Sequence, residues 1–414
     1  MDDLVVAAHD AATALRDLFP PTPLQRNEYL SQRHGADIYL KREDLSPVRS
    51  YKIRGAFNAM RKVLAQQPDR RVFVCASAGN HAQGVAFACR HFGVQGVIFM
   101  PVTTPQQKIG KTRSFGEGHV EIRLIGDYFD QSLAAAQAFC AQSGGVFLSP
   151  FDDPDVIRGQ ASVAVEIEAQ LGRLPDLVVL PVGGGGLSAG VTGYLRAAGV
   201  DGFRYVEPAG GASLRAALAA GEPVTLPKVD SFVDGAAVAR IGDGPFKLLA
   251  DVAPAHVLAV PEDRLCITML DMLNTEGVVL EPAGALAIDA LADLGDSLRG
   301  LTVVCVASGG NFDFERLPEV KERALRHGGL KKYFLLRLPQ RPGALRDFLE
   351  ILGPDDDIAR FEYLKKSARN FGTVLIGIET TAPENFQRLY TAMDAAGFAW
   401  RDITLDETLA GFLV

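Results

Sequence analysis

Between residues 72 and 206 the chain alternates short apolar, β-branched runs with longer stretches whose apolar positions recur every three to four residues. The runs 72–75, 97–100, 120–124 and 177–182 are predicted strands, and the stretches between them are predicted helices. That βαβ rhythm implies parallel sheets. A run as uniformly apolar as 177–182 needs cover on both faces, so ligands are expected in crevices at the carboxyl ends of such strands. The rhythm returns at 301–306 and is followed by a charged, helical stretch at 315–327. Gly328-Gly329 interrupts it, which divides the chain into 1–328, with a small lobe at about 50–150, and 329–414. Beyond the double glycine the order is strand 333–338, helix 343–352, strand 358–363, strand 373–379, helix 384–396 and strand 400–404. This βαββαβ order is the ferredoxin-like arrangement.

A length of 414 residues allows about two or three domains. Lys plus Arg number 42 against 50 Asp plus Glu, a net charge of −8, and no basic tract with interleaved aromatics occurs, so nucleic acid is not an expected partner. Met1-Asp2-Asp3-Leu4 lacks a basic start leading into an apolar stretch, and no run approaches the roughly 18 apolar residues of a membrane span. Cys75, Cys266 and Cys305 lie inside apolar runs, while Cys89 and Cys140 complete a set without paired spacing; a reduced, cytoplasmic location is expected.

Candidate chemistry sits in short segments at predicted strand ends or helix starts. Lys52 lies in Ser50-Tyr51-Lys52-Ile53-Arg54-Gly55-Ala56. A free lysine is protonated up to a pKa of about 10.4, so a lysine that attacks an aldehyde needs burial or neighbouring cations, and Arg49 and Arg54 stand near it in sequence. Gly183, Gly184, Gly185 and Gly186 follow the apolar strand and precede a helix near Leu187, where backbone N–H groups can converge on a phosphate. A dinucleotide reading fits poorly: Gly184, Gly186 and Ala189 only approximate its fingerprint, and Glu207 is the nearest acidic residue about 20 positions on. Ser77-Ala78-Gly79-Asn80-His81 joins a strand to a helix, with amides that can face an anion. Ser308-Gly309-Gly310-Asn311 follows the strand at 301–306.

Taken together, and with Lys41-Arg42-Glu43-Asp44, these segments resemble the pyridoxal-phosphate site of the fold-type-II lyases, the group of threonine and serine dehydratases, serine racemase and threonine synthase. The resemblance implies an α/β fold of two parallel-sheet lobes, like the tryptophan synthase β chain. It implies that Lys52 anchors pyridoxal 5'-phosphate, that Gly183 to Gly186 hold its phosphate, that Asn80 bonds its ring hydroxyl and that Ser308 bonds its ring nitrogen. Ser77, Ala78, Gly79, Asn80 and His81 would receive the substrate carboxylate, and Glu281, in Glu281-Pro282-Ala283-Gly284, matches a segment near the ring. A neutral serine cannot fully protonate the ring nitrogen, which favours prompt β-elimination over long-lived carbanions. Racemisation needs a second acid where this chain has Ala78. Glu207 matches the first ligand of the racemases' divalent metal, but Ser213 stands at the later acidic position, so no such metal is expected; a monovalent cation at Glu207 stays open.

Gln340-Arg341-Pro342-Gly343-Ala344-Leu345 resembles the ligand loop of ACT-like regulatory domains, and one copy after a catalytic region resembles the short-form biosynthetic threonine dehydratases. That implies conversion of L-threonine to 2-oxobutanoate and ammonia as the first step of isoleucine synthesis. It further implies inhibition by isoleucine, opposed by valine, in a homo-oligomer, dimer or tetramer, whose ACT-like modules pair. The alternatives are a serine dehydratase or threonine synthase of the same fold, and, in a different class, a non-catalytic amino-acid sensor.

Overall fold

The computed structural model describes residues 2–364 and 371–406, and the chain divides into two compact units, Met1–Asp313 and Phe314–Val414. In the first unit, Val72–Ala76, Gln95–Met100, Val120–Leu124 and Val146–Phe147 form a four-stranded parallel sheet with Val72–Ala76 and Gln95–Met100 at its centre. A six-stranded sheet is built on the adjacent strands Asp37–Arg42, Thr302–Ala307, Leu177–Pro181, Phe203–Pro208 and Val257–Val260, all parallel, and Leu24–Arg26 closes one edge antiparallel. Leu177–Pro181 and Thr302–Ala307 are buried at every position, as expected of strands covered on both faces.

The sequence pattern did not announce Asp37–Arg42 or Val257–Val260. The first carries Lys41 and Arg42 in its last two positions, which breaks the apolar signal, yet Lys41 is fully buried. Its ammonium donates to Glu166 at 2.7 Å and to the Thr22 carbonyl at 2.6 Å. Glu166 also binds Arg54, which is itself fully buried and reaches Glu43 Oε2 at 2.7 Å. Burial alone would raise the Glu166 carboxyl, but Arg54 and Lys41 outweigh it and bring its pKa down to about 2.

This ion network locks the start of the helix Lys52–Gln66 against the helix Pro154–Leu171. A second helix, Asn80–Phe92, crosses at the same point: a Cβ at Gly84 would come within 3.1 Å of the Lys52 carbonyl carbon and the Ile53 nitrogen. Close backbone approach there requires glycine. The helix begins at Asn80, within the Ser77-Ala78-Gly79-Asn80-His81 segment, with Gly79 at its N-cap.

In the second unit the strands Lys331–Pro339, Asp357–Leu364, Phe371–Glu379 and Ala399–Asp402 form one antiparallel sheet, with Asp357–Leu364 and Ala399–Asp402 at the edges. Phe334, Leu336, Val374, Ile376 and Ile378 pack with Phe348, Phe386, Leu389 and Met393 of two helices, the expected βαββαβ order. The first of those helices is Ala344–Leu349 rather than 343–352: the Ile351 and Leu352 amides donate three residues back, to the Phe348 and Leu349 carbonyls at 3.2 and 3.3 Å, so the α-helical ladder gives way to turns ahead of Gly353-Pro354. The helix Leu317–His327 belongs to this unit, and Gly329, at φ +68°, turns the chain from it into the sheet. Among the described residues no helix is long and apolar enough to cross a membrane.

Candidate active site

Lys52 is the first residue of its helix, and the segment before it pairs with the segment that follows the strand Thr302–Ala307. Ser50 bridges Gly309, the Tyr51 amide donates to the Ser308 carbonyl at 3.2 Å, and the Gly310 amide donates to the Arg49 carbonyl at 2.9 Å. Arg49 adopts φ +58°, a left-handed conformation rare for a side-chain-bearing residue. The pairing brings Lys52 and Ser308 together although they are far apart in sequence. Arg54 faces away into the ion network, so it is not what tunes Lys52.

The Lys52 amine donates to the Pro150 carbonyl at 2.8 Å and lies 5.2 Å from the Tyr51 ring and 5.9 Å from the Phe151 ring. Burial lowers its pKa to about 8, against the opposing pull of the Glu281 carboxylate. Desolvation therefore does the activating, and no neighbouring cation is needed.

Phe151 also connects the lysine to the glycine loop. A Cβ at Gly184 would sit 2.1 Å from the Phe151 ring carbons, and one at Gly186 would sit 2.9 Å from the Phe151 carbonyl. Gly185 has φ +87° and caps the helix Gly186–Ala198. Gly183 presses on Ala236, where a Cβ would lie 2.9 Å from its Cα. The amides of Gly184 and Gly185, both in buried residues, donate to no acceptor among the described residues. Buried amides without partners at a helix N-terminus are the donor set an anion requires.

Ser308 is buried and its hydroxyl donates to the Ala283 carbonyl at 3.2 Å. Asn80 donates from Nδ2 to Glu281 Oε1 at 2.6 Å, and its Oδ1 accepts from Asn311 Nδ2 at 2.8 Å. Glu281 is buried at the start of the helix Pro282–Asp289, and burial, then the Asp234 charge, raises its pKa to about 7 against Asn80, Lys108 and Lys111. Lys108 is ion-paired to Asp234. Ser77, Ala78 and Gly79 are partly exposed, and the Gly79 amide donates to the Ser77 hydroxyl at 3.2 Å. His81 is buried: its Nε2–H donates to the Leu148 carbonyl at 3.0 Å, and burial, with the Lys52 charge, takes its pKa down to about 3. It is a neutral donor that ties the loop down.

Lys52, Asn80, Ser308, Glu281 and Gly183 to Gly186 are thus brought to one place, with Ser77 to His81 beside them. Sequence reasoning missed Pro150, Phe151 and Asp152. The signal was there: Ser149-Pro150-Phe151-Asp152-Asp153-Pro154 is a proline-punctuated loop after the strand Val146–Phe147, another carboxyl end. Asp152 fixes it by accepting from the Asp243 and Gly244 amides at 3.0 and 2.8 Å. Glu207 is fully buried, accepts from the Leu214 and Arg215 amides at 2.6 and 3.0 Å, and has its pKa raised to about 7 by burial. The residues fit pyridoxal phosphate: a lysine whose pKa burial brings down to about 8, buried free amides for the phosphate, and neutral or amide donors around the space between them.

Comparison with known proteins agrees with this geometry. Residues 15–309 match the family "Pyridoxal-phosphate dependent enzyme" and residues 322–413 match the "C-terminal regulatory domain of Threonine dehydratase". The chain is 47% identical over 402 residues to the biosynthetic L-threonine dehydratase IlvA of Bacillus subtilis, covering 97% of this chain and 95% of that one. It is 49% identical over 376 residues to the enzyme of the same name from Mycobacterium leprae, covering 89% and 87%. The solved structure of the processed form of threonine deaminase isoform 2 from Solanum lycopersicum superposes with a TM-score of 0.72 at 37% identity, covering 78% of this chain and 94% of that one.

Proposed function

We infer, from the premise that the chain belongs to the pyridoxal-phosphate-dependent enzymes and within them to the biosynthetic threonine dehydratases, that it converts L-threonine to 2-oxobutanoate and ammonia. The observation that carries the reading is the Lys52 amine, half-buried, depressed to about 8 and held against the segment that packs on the glycine loop. Pyridoxal phosphate, when bound, supplies the electron-withdrawing group that acidifies the substrate's α-hydrogen. Lys52 Nζ, released to its neutral form, is the base that takes the proton from Cα. The Ala78 and Asn80 amides, with no acceptor among the described residues, are poised for the substrate carboxylate, and Gly183 to Gly186 for the phosphate. Asn80 would offer its remaining N–H to the ring oxygen, and Ser308, by turning its one hydroxyl hydrogen away from the Ala283 carbonyl, would offer a neutral donor to the ring nitrogen, which would keep the chemistry on the elimination path. With Ala78 on the loop, that position supplies no acid for racemisation.

The second unit binds an amino-acid effector in this reading, with isoleucine inhibiting and valine opposing it, in a homo-oligomer. The functional boundary stands at residues 328 and 329, where Gly329 turns the chain into the regulatory sheet. Offering L-threonine, L-serine and phosphohomoserine in turn and measuring the oxo acid tests the assignment. Turnover of threonine to 2-oxobutanoate is expected; preference for serine favours the serine dehydratase alternative, and threonine formed from phosphohomoserine refutes the lyase.

A further inference from the structure

We propose that Asn311 is a positioning residue which, using the Val48 carbonyl as a fixed reference, locks the side-chain amide of Asn80 with its N–H groups toward Glu281 and the site. The proposal rests on the reading of Asn80 as a donor to the cofactor.

Asn311 Nδ2 donates to the Val48 carbonyl at 2.8 Å and to Asn80 Oδ1 at 2.8 Å, which uses both of its hydrogens. Its Oδ1 is buried with no partner among the described residues. Turning that amide over would set an oxygen against two other oxygens, and a main-chain carbonyl cannot turn to accommodate it. The orientation of Asn311 is therefore dictated by the backbone. Because Asn80 Oδ1 is committed to Asn311, Asn80 Nδ2 must point the other way, where it donates to Glu281 Oε1 at 2.6 Å and keeps one hydrogen in reserve.

Without Asn311 the choice would pass to Glu281. An ionised Glu281 accepts from Asn80 and holds the donor orientation; a protonated Glu281 can instead donate to Asn80 Oδ1 and favour the reverse. Burial raises Glu281 so that it titrates near neutrality, with Asp234 reinforcing the shift and Lys108 and Lys111 opposing it, and Lys52 and Tyr51 within electrostatic reach. A Cβ at Gly309 would meet Glu281 Oε1 at 2.2 Å, so the carboxyl has little room to swing away. Asn311 makes the donor set independent of that titration.

The test measures the dissociation constant of pyridoxal phosphate from the full-length apoprotein, by absorbance titration, for wild type and Asn311→Ala between pH 6 and pH 8.5. The variant-to-wild-type ratio cancels the titration of Lys52. The ratio is expected to stay within about twofold at pH 8.5 and to rise to tenfold or more at pH 6, and adding Glu281→Gln to Asn311→Ala should flatten it. Should Asn311→Ala not fold, Asn311→Ser, which has a single donor to divide between two acceptors, is read in the same way. A ratio independent of pH, with a wild type that binds the cofactor, overturns the proposal alone; a wild type that takes up no pyridoxal phosphate overturns the functional reading with it.

Discussion

Burial of Lys52 lowers the pKa of its amine to about 8, and through that shift it ties the reactivity of the site to the pH dependence of the fold. Lys52, Asn80, Ser308 and the four glycines can be picked out because strand-to-helix turns in parallel sheets are where ligands bind. What activates Lys52 could not be read: Arg54, its near neighbour in sequence, is bound to Glu43 and Glu166, and the shift comes from burial. A stability test follows. The unfolded lysine keeps its proton up to about 10.5 and the folded one only to about 8, so between those values the unfolded state binds more protons and wild-type apoprotein gains stability as pH rises. Lys52→Met apoprotein is therefore expected to be more stable than wild type at pH 7, by about 1–2 kcal/mol once partial exposure is allowed for, with the gap closing toward pH 10. Denaturant melts of the two apoproteins across that range check it, and a variant less stable at every pH would refute the burial argument.

At the scale of elements, strands with uninterrupted apolar runs were readable because both their faces are covered. Asp37–Arg42 was hidden because its buried cation is neutralised by Glu166, 125 positions away, a contact no local pattern encodes. The same network explains how the lysine helix is held. Removing Arg54 leaves the buried Glu43 carboxylate without its ion-pair partner and Glu166 with Lys41 and Arg16 alone, so Arg54→Met is expected to cost about 3–5 kcal/mol in urea melts at pH 7. The pH dependence has a definite sign. The depressed Glu166 contributes stability that is complete above about 4.5 and lost as pH falls toward 2, and that acid-side loss should shrink in the variant. A change below 1 kcal/mol, or an unaltered acid limb, contradicts the clamp.

At the scale of the whole molecule, the switch from parallel βαβ rhythm to βαββαβ was visible as a change of pattern, whereas the compact units meet at Asp313 and Phe314, before the double glycine that marks the change in sequence. Compactness follows packing of Leu317–His327 with the second sheet, where Glu322 takes the Lys331 ammonium at 2.6 Å, and only tertiary contacts reveal it. If the second unit senses amino acids, isoleucine at a hundredfold its dissociation constant should stabilise the full-length protein by roughly 2.7 kcal/mol in thermal melts and lower the rate of oxo-acid formation. No effect on either, for isoleucine or valine, removes the regulatory proposal. The central claim, that Lys52 holds the cofactor and moves the proton, is tested most directly by Lys52→Ala in the purified protein. Loss of the visible cofactor absorbance together with a fall of at least 10³-fold in 2-oxobutanoate formation is expected; a variant that keeps its rate, or an active wild type without colour, contradicts it.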